Sequence, residues 1–279
     1  MDSSNIISTI NQVAEKIYSS VEGELYPLLD KIVIITPEIL KQEPLRNMFF
    51  EDKNIALTLV ASSFITFFIL YLAFSRIISM YTGEETESLW KIILKIIIWS
   101  ILMSTSYYIC KEILTINNLF TQVVESALND VTNTEVSFAN LKEIITDLGE
   151  YMSKDFISID GLIKGLISFG TVSLVINFSI RYATIIFLIL ISPIAFIMGA
   201  SSLTIGIFKS WLKLFLTNLL TQSVVLVIIS IPLSFKNIND IMFKIVLVGA
   251  IYMLYKLNNI TKDLFGNLGT AIKNSRGGK

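Results

Sequence analysis

The sequence contains no histidine, only one cysteine and few charged residues, and each shortage excludes a class of function. Without histidine the chain cannot form a Ser-His or Cys-His nucleophile pair, an HExxH zinc site or a histidine proton relay. The lone Cys110 excludes an internal disulfide and any CxxC motif, and we interpret it as a small apolar residue near the end of a membrane helix. The Gly-rich phosphate-binding and GxSxG motifs are also missing. We therefore expect no enzyme activity, no cofactor and no metal.

The amino-acid composition is that of a membrane protein. Hydrophobic residues make up 53% of the 279 residues and charged residues only 16%, with a mean hydropathy of +0.68. Soluble domains contain about 25% charged residues. We therefore expect an all-α, polytopic membrane protein. Its many Ile, Lys and Asn residues suggest a low-GC, Gram-positive host.

Four segments are apolar enough to cross a bilayer, which requires about 20 consecutive apolar residues. They are 55–75, 92–110, 214–235 and 238–257, the last being the least apolar because Asp240, Lys244 and Lys256 interrupt it. Lys95 lies inside one end of the second segment, where its long side chain can reach the interface. The first span is expected to act as an uncleaved anchor, because residues 1–20 lack the pattern of a signal peptide.

The region 161–200 allows two interpretations. It could hold two short spans that meet at Arg181, or one long helix from Gly161 to Ser192, which would reach about 48 Å and project beyond a hydrocarbon core of about 30 Å. The residues around Arg181 include no Gly or Pro, and only Asn177 is a plausible turn residue. Turn chemistry therefore favours one helix.

The distribution of charge favours a single crossing and thus five spans. Short cytoplasmic loops carry the excess of Lys and Arg. With five spans, ten basic residues of the loop 76–91 and its flank, the 201–213 link and the tail face inward, while the net acidic segments 1–53 and 111–160 face outward. A second crossing would move the basic link and tail outside. We therefore predict a cytoplasmic-membrane protein with its amino terminus outside and its carboxyl terminus in the cytoplasm.

Both outward segments are predicted to form amphipathic helices. In 1–53, Ile6, Ile10, Val13 and Ile17 share one helical face, a break is expected at Pro27, and a further helix is expected from Pro37 toward Arg46. In 111–160 we expect a helical hairpin with its turn at 129–135. Its apolar faces are formed by two sets of residues, Ile113, Ile116, Phe120, Val123 and Ala127, then Leu141, Ile144, Ile145, Leu148 and Met152.

The helical hairpin predicted within 111–160 is strongly acidic. It carries nine acidic and three basic residues and should be repelled by anionic headgroups, so a protein partner is expected to cover it.

The rest of the chain is divided by its membrane spans. The domain 54–110 holds the first two spans, 161–257 holds the other three, and 258–279 is predicted to be a flexible, basic cytoplasmic tail. Glu84, Glu85 and Glu87 are interpreted as a solvated helix start.

Polar residues inside the apolar segments are the candidate functional residues. Arg181 is either a residue of a pore or subunit interface or a guanidinium that reaches the headgroups. A polar stripe on the fourth span either bonds to a neighbouring helix or lines a water-filled path; it consists of Thr217, Asn218, Thr221 and Gln222. Ser100, Ser104, Thr105 and Ser106 permit close helix packing on the second span.

The link before the fourth span carries the remaining candidates. Pro193 is predicted to end or kink the long helix. Trp211, between Lys209 and Lys213, is predicted to be an interfacial anchor.

The stretch from about 165 to 230, which contains the sequences RYATIIFLILISPIAFIMGASS and IGIFKSWLKLFLTNLLTQ, resembles the TrbL-like channel subunits of type IV secretion and conjugation systems. An Arg-led helix, an apolar-Pro-apolar step and a Lys-Trp-Leu link before a span with Asn and Gln carry this resemblance. Here these features are Arg181, Pro193, Lys209, Trp211, Asn218 and Gln222.

The resemblance implies a non-enzymatic subunit that assembles as several copies in the cytoplasmic membrane. Its partners would be other secretion-system membrane subunits, cytoplasmic ATPases and a DNA or protein substrate in transit. The alternatives are a small-molecule or ion transporter, for which the sequence shows no internal repeat, and an intramembrane enzyme, for which it shows no paired Asp within a span.

Overall fold

The computed structural model describes residues 3–41, 43, 57–82, 88–151, 158–201, 204–235 and 240–276. Within these ranges the chain is mostly helical and has no β-strand, as expected for an all-α protein. Short 3-10 helices lie at Pro37–Lys41 and Met198–Ala200. The α-helices are α1 Ser3–Val33, α2 Leu57–Thr82, α3 Leu89–Ser104, α4 Ser106–Thr132, α5 Phe138–Tyr151, α6 Ile159–Leu190, α7 Ser192–Ile197, α8 Ile205–Leu233 and α9 Ile241–Arg276.

Three described helices are long and apolar enough to cross a membrane. They provide the stretches Ile65–Thr82 in α2, Asp160–Leu190 in α6 and Ile205–Leu233 in α8. Helices α3 and α4 make a fourth candidate if the bent pair counts as one span. Helix α9, which contains the predicted fifth span, is not among these candidates. The chain is compatible with a multi-pass membrane protein, but the count of five spans is not confirmed.

The region around Arg181 forms one continuous helix rather than an intramembrane hairpin. Helix α6 passes through Asn177 and Arg181 unbroken and ends at Leu190. As predicted, the helix ends just before Pro193. This proline lies at the second position of the short helix α7, where a backbone N–H has no partner within the helix and its loss is tolerated.

The predicted second span 92–110 is interrupted, and the packing interpretation of its hydroxyl residues is incomplete. Helix α3 ends at Ser104, and α4 leaves at an angle of 63°. The Thr105 hydroxyl donates to the Ile101 carbonyl at 2.9 Å, and the Ser104 hydroxyl donates to the Ser100 carbonyl at 3.0 Å. Such bonds to the preceding turn compete with the backbone ladder and bend helices. These hydroxyl residues therefore mark the bend.

One prediction for the amino-terminal segment is wrong. Helix α1 continues through Pro27 to Val33, so the expected break is not there. The helix expected from Pro37 toward Arg46 begins as the 3-10 helix Pro37–Lys41, Glu43 is helical, and residues 42 and 44–50 lie outside the described residues.

Two helices joined by a short turn occupy the described part of 111–160, and this turn lies later than predicted. Helix α4 continues to Thr132, and Asn133, with a φ of 55°, starts the turn that leads to α5. Within α4 the predicted apolar face is exposed, with Ile116 at 66% and Val123 at 68%. The buried side of α4 instead carries Asn117 and Thr121. The predicted face of α5 is buried or partly buried where described, and Met152 lies outside the described residues.

The carboxyl-terminal segment is helical where the sequence predicts a flexible tail. Helix α9 continues to Arg276, and residues 277–279 lie outside the described residues, as do Glu84, Glu85 and Glu87. The chain forms two compact units. The first unit comprises the described parts of 1–35, 117–183 and 217–279, and the second those of 36–116 and 184–216.

In the first unit α6 and α9 run in the same direction and α8 runs opposite to both. Near the start of α6, Asp160 pairs with Lys244 near the start of α9, with 2.7 Å between the carboxylate and the ammonium. Further along, the Asn177 amide donates to the Tyr255 carbonyl at 3.4 Å. Asn218 of α8 lies beside Arg181 in the carboxyl-terminal half of α6, and Phe235, just after α8, lies beside Phe243 near the start of α9. This arrangement matches consecutive spans that alternate in direction.

Helices α1 and α5 pack along α6 in the same unit. The Tyr26 hydroxyl lies 2.9 Å from that of Thr171, and the rings of Phe138 and Phe178 are 6.4 Å apart. One continuous core joins α1 and α5 to α6, α8 and α9. Gly170 lets α9 approach α6 closely, because a Cβ there would overlap the Ile251 side chain.

Candidate functional site

Arg181 lies inside the first unit and connects three helices. Its side chain is only 1% exposed. The Nε donates to the Asn218 carbonyl of α8 at 2.8 Å, and Nη1 donates to the Val33 carbonyl at 3.0 Å. Val33 is the last residue of α1, so its carbonyl has no partner within the helix, and a cation there also interacts favourably with the helix dipole. Arg181 therefore caps α1.

This placement differs from the headgroup interpretation of Arg181. The guanidinium points into the chain and is solvated by backbone carbonyls. Among the described residues it has no carboxylate partner, and Nη2 is buried without a hydrogen-bond partner. A buried charge is tolerated only where polar groups surround it, because its transfer from water costs several kcal/mol. The two carbonyls provide part of that environment.

Gln222 holds the residues that follow α1. Its Oε1 accepts a hydrogen bond from the backbone N–H of Ile35 at 3.1 Å, and its Nε2 donates to the Thr121 hydroxyl of α4 at 2.7 Å. Thr121 donates in turn to the Asn117 carbonyl at 2.9 Å. Gln222 is completely buried. Its amide therefore pairs on both sides, joining α8 to α4 and to the end of α1.

Other members of the predicted polar stripe pack between helices. Thr217 and Thr221 are buried, and the Thr221 hydroxyl donates to the Thr217 carbonyl at 2.8 Å. The Thr261 hydroxyl of α9 lies 3.5 Å from that of Thr221. Asn218 takes part through its backbone carbonyl. These contacts correspond to the helix-packing interpretation of the stripe rather than to a water-filled path.

We refer to Arg181, Asn218, Gln222, Thr121, Val33 and Ile35 as the Arg181–Gln222 cluster. It contains no pair of nucleophile and base, and its side-chain groups donate to or accept from backbone groups and hydroxyls. No group of three or more metal-ligating residues occurs in the part of the chain that the structure describes. The arrangement fixes the residues after α1 against the membrane-length helices. Sequence reasoning identified Arg181 and Gln222 but not Thr121 or the backbone groups that they bind.

The remaining candidates lie in the second unit. Trp211 is not an interfacial anchor, since it is only 4% exposed and its indole N–H donates to the Leu188 carbonyl at 2.9 Å. Its ring stacks on Phe215, with 5.5 Å between ring centroids. The Leu188 carbonyl belongs to the last turn of α6, where carbonyls lack a partner within the helix. Lys209 and Lys213 are exposed beside it.

Sequence reasoning missed Asp30, which caps a helix on another part of the chain. Its two carboxylate oxygens accept the N–H groups of Phe138 and Ala139, at 2.9 and 3.0 Å, where α5 begins. Burial raises the pKa of Asp30, although these hydrogen bonds oppose the shift. The sequence did contain a signal for this role. Asp30 lies on the same face of α1 as Tyr26 and Val33, so an acidic residue occurs on a face that is otherwise apolar.

The chain was compared with protein-family models, with curated proteins and with solved structures, and none of them matches.

Proposed function

We propose that this protein is a non-enzymatic channel and scaffold subunit of a type IV secretion machine for conjugative DNA transfer, of the TrbL-like kind. The observation that carries the proposal is that residues from distant parts of the TrbL-like stretch, Arg181, Asn218 and Gln222, belong to one buried cluster. The side chains of Arg181 and Gln222 and the backbone carbonyl of Asn218 take part in these contacts, and this supports a structural rather than a catalytic role for the stretch.

The proposed membrane topology has five spans, an outside amino terminus and a cytoplasmic carboxyl terminus. The directions of α6, α8 and α9 support it, since the third and fifth spans should run in one direction and the fourth in the other. The basic residues of the 201–213 link and of the tail then lie in the cytoplasm. The proposed setting is the cytoplasmic membrane of a Gram-positive donor cell.

The proposed partners are further copies of this chain, other secretion membrane subunits, the cytoplasmic ATPases and the transferred DNA or protein. The large exposed apolar surface of α2, which includes Phe67, Phe74 and Ile78, supports contact with lipid or with such subunits.

The experiment that tests the function is transfer from a donor cell whose copy of this gene is deleted. We expect transfer to fall to background and to be restored by the wild-type chain. Copurification of secretion subunits with a tagged, full-length chain is the second expected result. Normal transfer without the gene would contradict the proposal, and saturable uptake of a small solute by vesicles that contain the protein would favour a transporter instead.

A further inference from the structure

Two buried hydrogen-bond donors of the first unit have no acceptor. Arg181 is 1% exposed and Asn117 is 7% exposed. Within the described residues, Nη2 of Arg181 and Nδ2 of Asn117 are both buried without a hydrogen-bond partner. Each is an NH2 group that can only donate. Because buried polar groups in folded proteins are nearly always hydrogen-bonded, these two donors call for an acceptor.

Helix α8 runs opposite to α1 beside the Arg181–Gln222 cluster. Along α1, Tyr26 contacts Thr171 of α6 and Val33 contacts Arg181 of α6, so α1 and α6 run in the same direction. Helix α8 is antiparallel to α6 and therefore also antiparallel to α1.

Helix α4 runs in the same direction as α8. Burial and nearby carboxylates, among them Asp30 of α1, raise the pKa of Glu125, so Glu125 of α4 lies close to Asp30. One helical turn earlier in α4, Thr121 binds Gln222, which holds Ile35 beyond the end of α1. Going backward along α4 thus corresponds to going forward along α1.

This arrangement brings the two donors to one level. Asn117 precedes Thr121 in α4 by one helical turn, about 6 Å, and lies on the same face of the helix. The Arg181 guanidinium binds the carbonyl of Asn218, which precedes Gln222 in α8 by the same distance. Since α4 and α8 are parallel, the Asn117 amide and the Arg181 guanidinium lie on the same side of the contact between Thr121 and Gln222.

The charge at this level is only partly compensated. A guanidinium keeps its proton in proteins, so Arg181 cannot become neutral on burial as a lysine or a carboxylate can. The end of α1 at Val33 carries about half a unit of negative charge, and no carboxylate contacts Arg181 among the described residues. A water molecule would satisfy the donors but leave the remaining charge. An anion satisfies both.

We propose that Arg181 and Asn117 bind one small monovalent anion of the chloride class where α4, α6 and α8 meet. The anion accepts from Nη2 of Arg181 and Nδ2 of Asn117 and so ties α4 to α6. Because Arg181 and Gln222 have almost no exposed surface, the site suits a dehydrated monatomic ion better than a tetrahedral oxyanion. The site lies within one chain and goes beyond the proposed function.

The test is thermal unfolding of the full-length protein in lipid nanodiscs. Sodium gluconate is replaced stepwise by sodium chloride or bromide at constant ionic strength, so that screening does not change. A ligand that binds only the folded state raises Tm with its concentration. We expect both halides to raise Tm, and Arg181→Met and Asn117→Leu to remove this response. Lys209→Met, which removes an exposed cation, should keep it.

Asn117→Asp separates an anion site from simple packing of the amide. The new carboxylate has nearly the same shape and lies beside Arg181, so it replaces the bound anion from within the chain. We expect this variant to be at least as stable without halide as the wild-type chain is with it, and to show no further rise in Tm. Crystals grown in bromide should give an anomalous peak within hydrogen-bonding distance of Nη2 of Arg181 and Nδ2 of Asn117.

Three outcomes would overturn the inference. The same Tm in gluconate and in halide would show that no halide binds the folded chain. A halide response that persists in Arg181→Met and Asn117→Leu would place the ion elsewhere. An acidic side chain seen against Nη2 of Arg181 in the crystals would identify a carboxylate as the counter-ion. None of these results bears on the proposed function, which the deletion experiment tests by itself.

Discussion

Replacement of Arg181 by methionine tests whether this side chain holds the end of α1. The change removes the hydrogen bonds to the Val33 and Asn218 carbonyls. The Asn218 carbonyl lies inside α8 and keeps its helical partner, but the Val33 carbonyl ends α1 and is left unsatisfied. An unsatisfied buried acceptor costs about 1 to 3 kcal/mol. Removal of the buried charge offsets part of the energy lost with the hydrogen bonds. We therefore expect the end of α1 to be destabilised by about 1 to 3 kcal/mol, the cost of the unsatisfied Val33 carbonyl.

The assay is hydrogen exchange of the amides that follow α1, measured on peptides that cover residues 29–40 in the full-length protein in lipid. The backbone N–H of Ile35 is the reporter, because it donates to Gln222 and follows closely after the Val33 carbonyl that Arg181 binds. A loss of about 1 to 3 kcal/mol corresponds to exchange that is about 5- to 150-fold faster. Arg181→Lys should lose at least as much, since an ammonium retains the buried charge but cannot reproduce the planar fork of a guanidinium.

Lys209→Met is the matched control, because it removes an exposed cation from the same stretch of sequence. We expect it to leave the exchange of residues 29–40 unchanged. Unchanged exchange in Arg181→Met as well would refute the reasoning, because α1 would then be held by its apolar contacts alone. Faster exchange in both variants would point to net charge rather than to capping.

Further changes test the same kinds of contact elsewhere. Gln222→Leu should leave the Ile35 N–H unpaired and speed its exchange by a similar factor, whereas an isosteric change to Glu should preserve that bond. Asp30→Ala should destabilise the first turn of α5 by about 0.5 to 2 kcal/mol, seen as faster exchange at residues 138–141. Burial raises the folded-state pKa of Asp30 above 3.8. Asp30 should therefore contribute most to the stability of the fold below pH 3.8 and less as the pH rises through the raised pKa. Asp30→Asn should abolish this pH dependence in thermal unfolding. Trp211→Phe should lose the bond to Leu188 and cost about 0.5 to 1.5 kcal/mol in thermal stability.

The sequence predicted the helical class and the long α6 well because these depend on local patterns. A run of apolar residues without Gly or Pro around Arg181 leaves the backbone no chemistry for a turn, and the helix continues as expected. The position of Pro193 just after the helix end is likewise a local property. Pro27 shows the limit of such rules, since α1 passes through a residue that normally breaks a helix. Its neighbours Tyr26 and Leu29 are buried, and tertiary packing of this kind overrides local preference.

The faces of α4 could not be predicted from an apolar pattern alone. The apolar residues Ile116 and Val123 are exposed, while Asn117 and Thr121 point inward. In water the apolar face would be the buried one, but beside lipid or a partner subunit the apolar face can lie outside. Periodicity identifies two different faces and does not say which solvent each meets. The sequence analysis expected a protein partner to cover this segment, and the exposure of Ile116 and Val123 leaves the apolar face of α4 accessible to one.

Arg181 was difficult to interpret because its partners are backbone atoms. A cation in an apolar helix directs attention to carboxylates, headgroups or water, whereas every helix end also offers carbonyls without helical partners. These carbonyls have no sequence signature, and the end of α1 is separated from Arg181 by 148 positions along the chain. A buried guanidinium without a carboxylate partner therefore indicates a nearby helix terminus as well as a possible pore. Here that terminus belongs to α1, so the effect of losing Arg181 should be seen at the residues that follow α1.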